Sequence, residues 1–376
     1  MQNDLIPPEF ISLNHAIELL WSLTESNSSQ ILEETIKFIE QKVITIVRVF
    51  DLISCMHTKP NEVLFPFCKQ LANHFSISYA NIPVRSSYLH AYLFYEGIIY
   101  SNSETNIHPK MAISVYPENS IQYAIKMDNL SMLQDICDTN KNFAPDQVII
   151  LSNVPNLCNR VTVLAAAAFY GAIQCFKFMV AKYPLKNSIY DKTMFLCAII
   201  GNDFEIINIC DQKQIEIDNI FLSYAIYYHN NQIASWLMEK YNFTINLMTS
   251  LTTLNLPFFF YHLSQLNNIN ERTSQNKAAL QCAIITDSME VLDYLCNNGA
   301  DLNMPDEHNN PPLLISLIAE KYHISRFLIE KGANIECASK WMDYFANRPK
   351  GPKLSQMYNY ILERMPNRTE DPAKTS

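Results

Sequence analysis

The sequence predicts an all-α fold: a solenoid of stacked helix pairs with short hairpin loops between them, preceded by a helical N-terminal domain. Two observations carry this. Segments Ala283 to Asn303 and Ser316 to Ile335 superpose at a shift of 33 residues, matching Val291 with Ile324, Leu295 with Leu328, Gly299 with Gly332, Ala300 with Ala333 and Asp301 with Asn334. A small residue followed eight and twelve positions later by apolar ones recurs upstream, at Ala124 (Met132, Ile136), Ala167 (Cys175, Met179), Ala198 (Ile206, Cys210) and Ala225 (Ile233, Leu237). The 376 residues divide accordingly into a helical N-terminal domain (1–115), about seven degenerate repeats (116–345), and a C-terminal cap helix with a loose tail (346–376).

In the N-terminal domain the first strong signal is one helix from Gln30 to about Met56, where Leu32, Ile36, Ile39, Val43, Ile46, Phe50 and Ile53 alternate at spacings of 4 and 3. Ser28 or Ser29 suits its N-cap, and Glu33 and Glu34 its positive start. Such a seam could pair with a partner helix as a coiled coil. Val47, Val49 and Leu52 widen the apolar surface beyond a narrow stripe, so packing within the chain is expected. A second helix, Asn61 to Phe75, contains Pro66, which must sit near its start or kink it. A third, rich in tyrosine, spans Ser86 to Gly97. Together these helices are expected to cover the open face of the first repeat; the alternative is a second binding surface.

In each repeat the small residue lets a first helix pack closely, and the apolar pair four apart gives a second helix its stripe. Gly299 and Gly332 fit the left-handed position that ends that second helix, and Lys331 suits its negative end. Successive starts lie 43, 31, 27, 58 and 33 residues apart. The 43 contains a long loop, Phe143 to Arg160, and the 58 hides a decayed unit around Leu251 to Leu266. Val161 to Met179, the most membrane-like stretch, contains Lys177 and Gly171 and reads as two short packed helices. Trp341 to Met365 has the apolar content to cap the final repeat, and Pro366 to Ser376 is polar.

These residues resemble the ankyrin repeat family. Asn310-Pro311-Pro312-Leu313-Leu314 is a weakened form of the family's helix-opening Thr-Pro-Leu-His, and the Gly-Ala-Asp at 299–301 and Gly-Ala-Asn at 332–334 match its turns. Val163 to Phe178, followed by Ala198 to Cys210 and Ser223 to Leu237, looks like the divergent ankyrin proteins expanded in certain protists, which carry a helical N-terminal region of unassigned function. The resemblance covers roughly residues 85 to 345. Units before Ala283 lack both the turn and the Pro-Leu-His opening.

Several function classes find no support. Acidic side chains number 37 against 28 basic, the net charge is −9, and no two Lys or Arg are adjacent, so a nucleic-acid partner is not expected. The ten cysteines form no Cys-x-x-Cys pair and read as small buried hydrophobes in a reducing compartment. Met1 to Phe10 has no signal-peptide pattern, and the four sequons at Asn27, Asn129, Asn242 and Asn367 fall within 37 asparagines, so a cytoplasmic protein without membrane insertion is expected. Only six glycines occur, none closer than 19 residues to the next, which excludes a dinucleotide fingerprint. The nine histidines show no ligand spacing, and His308 and His323 fall on exposed repeat positions. Cys175 lies on a buried stripe. Glu33 with Glu34, Asp301 with Asp306, and Glu370 with Asp371 read as solvated carboxylates. No catalytic residue, cofactor or metal is expected.

What remains is a monomeric, non-catalytic scaffold that binds a protein partner through the concave face and hairpin tips. The candidate contact residues are Tyr190 and Asp191 at one tip, Asp306, Glu307 and His308 at another, and Tyr227, Tyr228 and His229 at the end of a first helix. The alternative is a substrate adaptor of a ubiquitin ligase that docks through its N-terminal helices, suggested by a faint F-box-like opening at Leu5-Ile6-Pro7-Pro8-Glu9-Phe10.

Overall fold

Helices of six to eleven residues do not persist alone in water, and in the computed structural model those that carry the repeat pattern are paired. Residues 3–77, 86–99, 116–152, 158–213, 215–273, 276–346 and 351–365 are described. The N-terminal helices are α1 (Ile11–Trp21), α2 (Ser28–Glu40), α3 (Ile46–Ile53), α4 (Asn61–His74) and α5 (Ser87–Tyr95). Seven helix pairs follow among the described residues. They are α6 (Ile121–Lys126) with α7 (Leu130–Thr139), α8 (Val163–Phe169) with α9 (Ile173–Lys182), α10 (Lys192–Gly201) with α11 (Phe204–Asp211), and α12 (Asn219–Tyr227) with α13 (Asn231–Tyr241). The remaining three are α14 (Leu247–Thr252) with α15 (Leu256–Gln265), α16 (Ala279–Thr286) with α17 (Met289–Asn297), and α18 (Pro312–Ile318) with α19 (Tyr322–Glu330). Two helices, α20 (Ser339–Ala346) and α21 (Pro352–Leu362), stand in the region expected to cap the array.

One local device closes every pair. Four residues after each small residue the backbone turns left-handed: Asp128, Gly171, Asn202, His229, Leu254, Asp287 and Glu320 all have φ between 44° and 63°. In six of the seven pairs the next amide then reaches back to the small residue's carbonyl, from Asn129 to Ala124, Ala172 to Ala167, Asn230 to Ala225, Asn255 to Ser250, Ser288 to Ala283 and Lys321 to Ser316. This is the bond pattern of a helix C-cap. It identifies Ser250 as the small residue of the decayed unit, with Phe258 buried eight positions on.

The small residues are buried because first helices pack on one another. Every residue of α8 is buried, as a helix that is apolar all round must be. A Cβ added at Gly201 would fall 1.9 Å from the Ala168 carbonyl oxygen, and one at Gly171 2.7 Å from that of Gly201, so α8 and α10 meet backbone to backbone. Second-helix positions at Cys175, Met179, Ile206, Cys210, Ile233, Leu237, Val291, Leu295, Ile324 and Leu328 are all buried as the spacing predicts. In the first pair the stripe is displaced by one: Leu133 and Cys137 are buried, and Met132 and Ile136 are half-exposed. All ten cysteines are free thiols, eight of them buried.

Two expectations change. The helix from Gln30 to Met56 is two helices, because Lys42 turns left-handed (φ 59°), Val43 N–H closes on the Phe38 carbonyl, and the Thr45 hydroxyl accepts from Arg48 N–H to start α3. The loop from Phe143 to Arg160 contains an antiparallel strand pair, β1 (Val148–Ile150) with β2 (Arg160–Thr162), so the fold is nearly but not wholly helical. The chain forms two compact units, 7–244 and 1–6 with 245–376, and α1 to α5 share the first unit with four helix pairs. Pro66 is accommodated inside α4, and Pro366 to Ser376 lies outside the described residues.

Candidate interaction surface

Each helix pair has two ends: the turn between its helices, and the opposite end, where loops connect it to the neighbouring pairs. In unit 7–244 the turns of the first and fourth pairs are occupied. His229, the left-handed residue after α12, stacks on Trp21 of α1 with 4.5 Å between ring centroids and 18° between planes. The Tyr228 hydroxyl lies 3.2 Å from His57 Nδ1, and Lys126 at the end of α6 pairs with Glu62 of α4 at 3.2 Å. Burial lowers the His57 imidazole from 6.5 to about 4, against an opposing contact with the Cys55 backbone, so it is neutral at ordinary pH. Burial also raises the Tyr228 phenol well above its usual value. The N-terminal region therefore lies against the turns of the first and fourth pairs.

The expected contact aromatics lie within this contact. Tyr228 is 4% exposed and His229 is stacked under Trp21, so both form a seat for the chain's own helices. Tyr227 packs edge-on against Tyr228 at 5.2 Å. The signal for this was present in the sequence, since His229 stands four residues after Ala225, at the position of the left-handed turn in every pair.

At the loop end, two of the expected acidic contacts have structural tasks. Asp191 Oδ1 accepts from Met194 N–H at 2.8 Å and caps α10. Asp306 Oδ1 accepts from the amides of Asn310 (2.8 Å) and His308 (2.9 Å). Desolvation raises the Asp306 carboxyl, but these amides outweigh it and hold it below its usual range. Tyr190 is 8% exposed beneath the Lys213 ammonium, 4.8 Å from the ring centre. Glu307 and His308 are exposed at the tip, with Lys277 3.6 Å from Glu307. Lys186, Asn187, Ser188 and Lys192 are exposed beside Asp191. Sequence reasoning also missed Val148 and Ile150 on β1, 57% and 62% exposed, which lay within a stretch read as loop.

The loops of unit 245–376 are tied to one another by a side-chain ladder. Asn270 Oδ1 accepts from Asp301 N–H at 2.7 Å, and Asn303 Oδ1 accepts from Asn334 N–H at 2.8 Å, the same contact one repeat on. The second helices carry a comparable series of ion pairs, Lys182 with Asp138, Lys240 with Asp211, and Lys331 with Asp293. Exposed pairs of this kind add little stability each.

A cavity of about 450 Å³ opens in unit 7–244 between α2 and α4, walled by Leu32, Val63, Pro66 and Phe67 with Lys59 and Glu62. Burial lowers the Lys59 ammonium. The described lining holds no histidine, cysteine or aspartate, and Glu62 is already paired to Lys126. Among the described residues no cluster of three His, Cys, Asp or Glu is placed to hold a metal ion, and no helix is long and apolar enough to cross a membrane. Within Leu5 to Phe10, Ile6 and Phe10 are buried, and Leu5, Pro8 and Glu9 are exposed.

Two family profiles match parts of the chain. A family profile described as Ankyrin repeats (3 copies) matches residues 222–339, and one described as Domain of unknown function (DUF3447) matches 172–262. An ankyrin repeat protein of Acanthamoeba polyphaga mimivirus is 27% identical over 244 residues, 56% of this chain, but that match spans only 31% of the relative's own length. Among solved structures, the human ASB11 ankyrin repeat domain aligns at TM-score 0.39 and 15% identity over 57% of this chain and 98% of that one. The Bd0816 predatory endopeptidase of Bdellovibrio bacteriovorus in complex with immunity protein Bd3460 aligns at TM-score 0.35 and 17% identity over 45% of this chain and 97% of that one. Ankyrin repeats imply a role in protein–protein interaction, and proteins built from them are generally non-catalytic.

Proposed function

Since residues 222–339 carry ankyrin repeats, we propose that the chain is a non-catalytic scaffold that binds a protein partner through the loop ends of its helix pairs. The observation that supports this most directly is the asymmetry of unit 7–244. The turns of its first and fourth pairs are seated against the chain's own N-terminal region through Trp21, His57 and Glu62, whereas Lys186, Asn187, Ser188 and Lys192 at the loop end are exposed. Glu307 and His308 occupy the corresponding end of a pair in unit 245–376. The net charge of −9 favours a protein over a nucleic acid, and ten free thiols suit a reducing, cytoplasmic setting, with the chain acting as a monomer.

Affinity capture with three baits tests this: the intact chain, a loop-end variant with Lys186, Asn187, Glu307 and His308 changed to alanine, and a second-helix variant with Gln232 and Glu239 changed to alanine. A partner recovered by the intact chain and the second-helix variant, and lost by the loop-end variant, is the expected result. A partner kept by the loop-end variant and lost by the other would move the interface to the second helices.

A further inference from the structure

Among the described residues, the strand β1 has one paired edge and one open edge. Leu151 N–H donates to the Asn159 carbonyl at 2.8 Å and Val163 N–H to the Gln147 carbonyl at 2.9 Å, which, with the register Ile149 to Val161, turns the backbone groups of 147, 149 and 151 toward β2. Val148 and Ile150 occupy the alternate, non-hydrogen-bonded positions opposite Thr162 and Arg160, so their N–H and C=O groups point away from β2. No described residue pairs with them there. On the faces of the ladder the division is equally clear. Ile149 and Leu151 are 8% and 2% exposed and anchor the strand, while Val148 and Ile150 stand 57% and 62% exposed on the other face.

Such an edge is a template for strand pairing that proteins ordinarily blunt with charge, proline or a covering element. Here it carries two exposed β-branched side chains. Beside Ile150, Arg160 is exposed and its guanidinium has no carboxylate partner among the described residues. The hydrogen-bonding groups at this edge fit an extended backbone and not a helix, which satisfies its own. The apolar pair fits alternate apolar side chains on one face of that backbone. The unpaired cation calls for an acid.

We propose that the outer edge of β1 docks an extended segment of a protein partner as a third strand, its apolar side chains covering Val148 and Ile150 and an acidic side chain meeting Arg160. This deepens the loop-end binding proposed above and rests on it, because β1 and β2 lie in the connection between the first and second helix pairs. The strand contributes register and backbone hydrogen bonds, and Arg160 selects the acid-bearing segment.

The test is selection of a randomised octapeptide display library on the intact chain, with parallel selections on the double variant Val148→Thr/Ile150→Thr and on Arg160→Gln. Both positions on β1 are exposed and threonine keeps the strand preference, so unchanged thermal melts are expected for each variant. Enriched peptides should alternate apolar residues and carry Asp or Glu. By fluorescence anisotropy they should bind the double variant at least ten-fold more weakly and Arg160→Gln several-fold more weakly, and N-methylation of alternate amides should abolish binding. The proposal fails if no peptides are enriched, if they lack alternation, or if binding is unchanged in both variants. It fails also if the intact chain forms a dimer that the double variant loses, since the edge then serves a second copy. Peptides lost with the loop-end variant but unaffected at β1 would overturn strand addition while leaving loop-end binding in place.

Discussion

His229 and Trp21 lie ring upon ring, 4.5 Å apart, and this stack fastens α1 to the turn that follows α12. It joins two parts of the chain that are distant in sequence but share one compact unit. Because Trp21 is 9% exposed, its removal takes away both the stack and a large buried surface. Trp21→Ala should cost about 3 kcal/mol of stability, within the range for truncating buried aromatics. His229→Ala should cost less, about 1 kcal/mol, the scale of a ring-pair contribution. Urea unfolding of the two variants checks the order, and equal losses would show that the stack carries the whole effect.

Gly201 and Gly299 separate two reasons for needing glycine. At Gly201 a Cβ would sit 1.9 Å from the Ala168 carbonyl oxygen, so Gly201→Ala must push α8 and α10 apart. Overpacking of this kind should cost about 3 kcal/mol or more. At Gly299 the space is open but φ is +87°, so Gly299→Ala should cost only about 1 kcal/mol. Thermal melts should show a much larger drop for the first.

The neutral, buried His57 makes stability depend on acidity. Its folded value, about 4, lies below the unfolded 6.5, so between these limits the unfolded chain binds more protons than the folded one. Stability should therefore fall as pH drops from about 6.5 toward 4, by about 2 to 3 kcal/mol at the acid end. His57→Gln, which removes the titrating ring, should flatten that part of the curve. An unchanged slope would place the proton uptake elsewhere.

The loop ladder predicts a local effect. Asn303→Ala removes the acceptor for Asn334 N–H and should speed hydrogen exchange at that amide about five-fold, the equivalent of a net hydrogen bond near 1 kcal/mol. Exchange at Asp301, held by Asn270, should be unaffected. Equal acceleration at both amides would mean that the ladder opens as one piece.

The repeat was legible because its signal is periodic and its residues are small or apolar for packing reasons. Ala167, Ala198, Ala225 and Ala283 with their second-helix partners are buried where the spacing placed them. The break at Lys42 was not, because a 4,3 apolar alternation continues through two helices joined by a tight turn, and the Thr45 cap is visible only once the turn is known. The contact residues were harder. Tyr228 and His229 look like surface aromatics in sequence, and only the placement of α1 and the 54–60 loop buries the first and stacks the second, half-buried, on Trp21. Asp191 and Asp306 look like free charges, yet each spends its carboxylate on backbone amides. Val148 and Ile150 gave no signal because a three-residue strand is too short to display a period.

The turn at Asn3–Leu5 packs against α15, and Ile6 is buried in the same unit, although the residues that follow belong to the other. A chain made from its N-terminus onward therefore produces this segment long before its seat exists. Unit 7–244 can assemble while synthesis continues, but Asn3–Leu5 must wait until Leu256–Gln265 has emerged. Synthesis that stops short of Leu256 would therefore leave Ile6 without its packing partners and open to quality control.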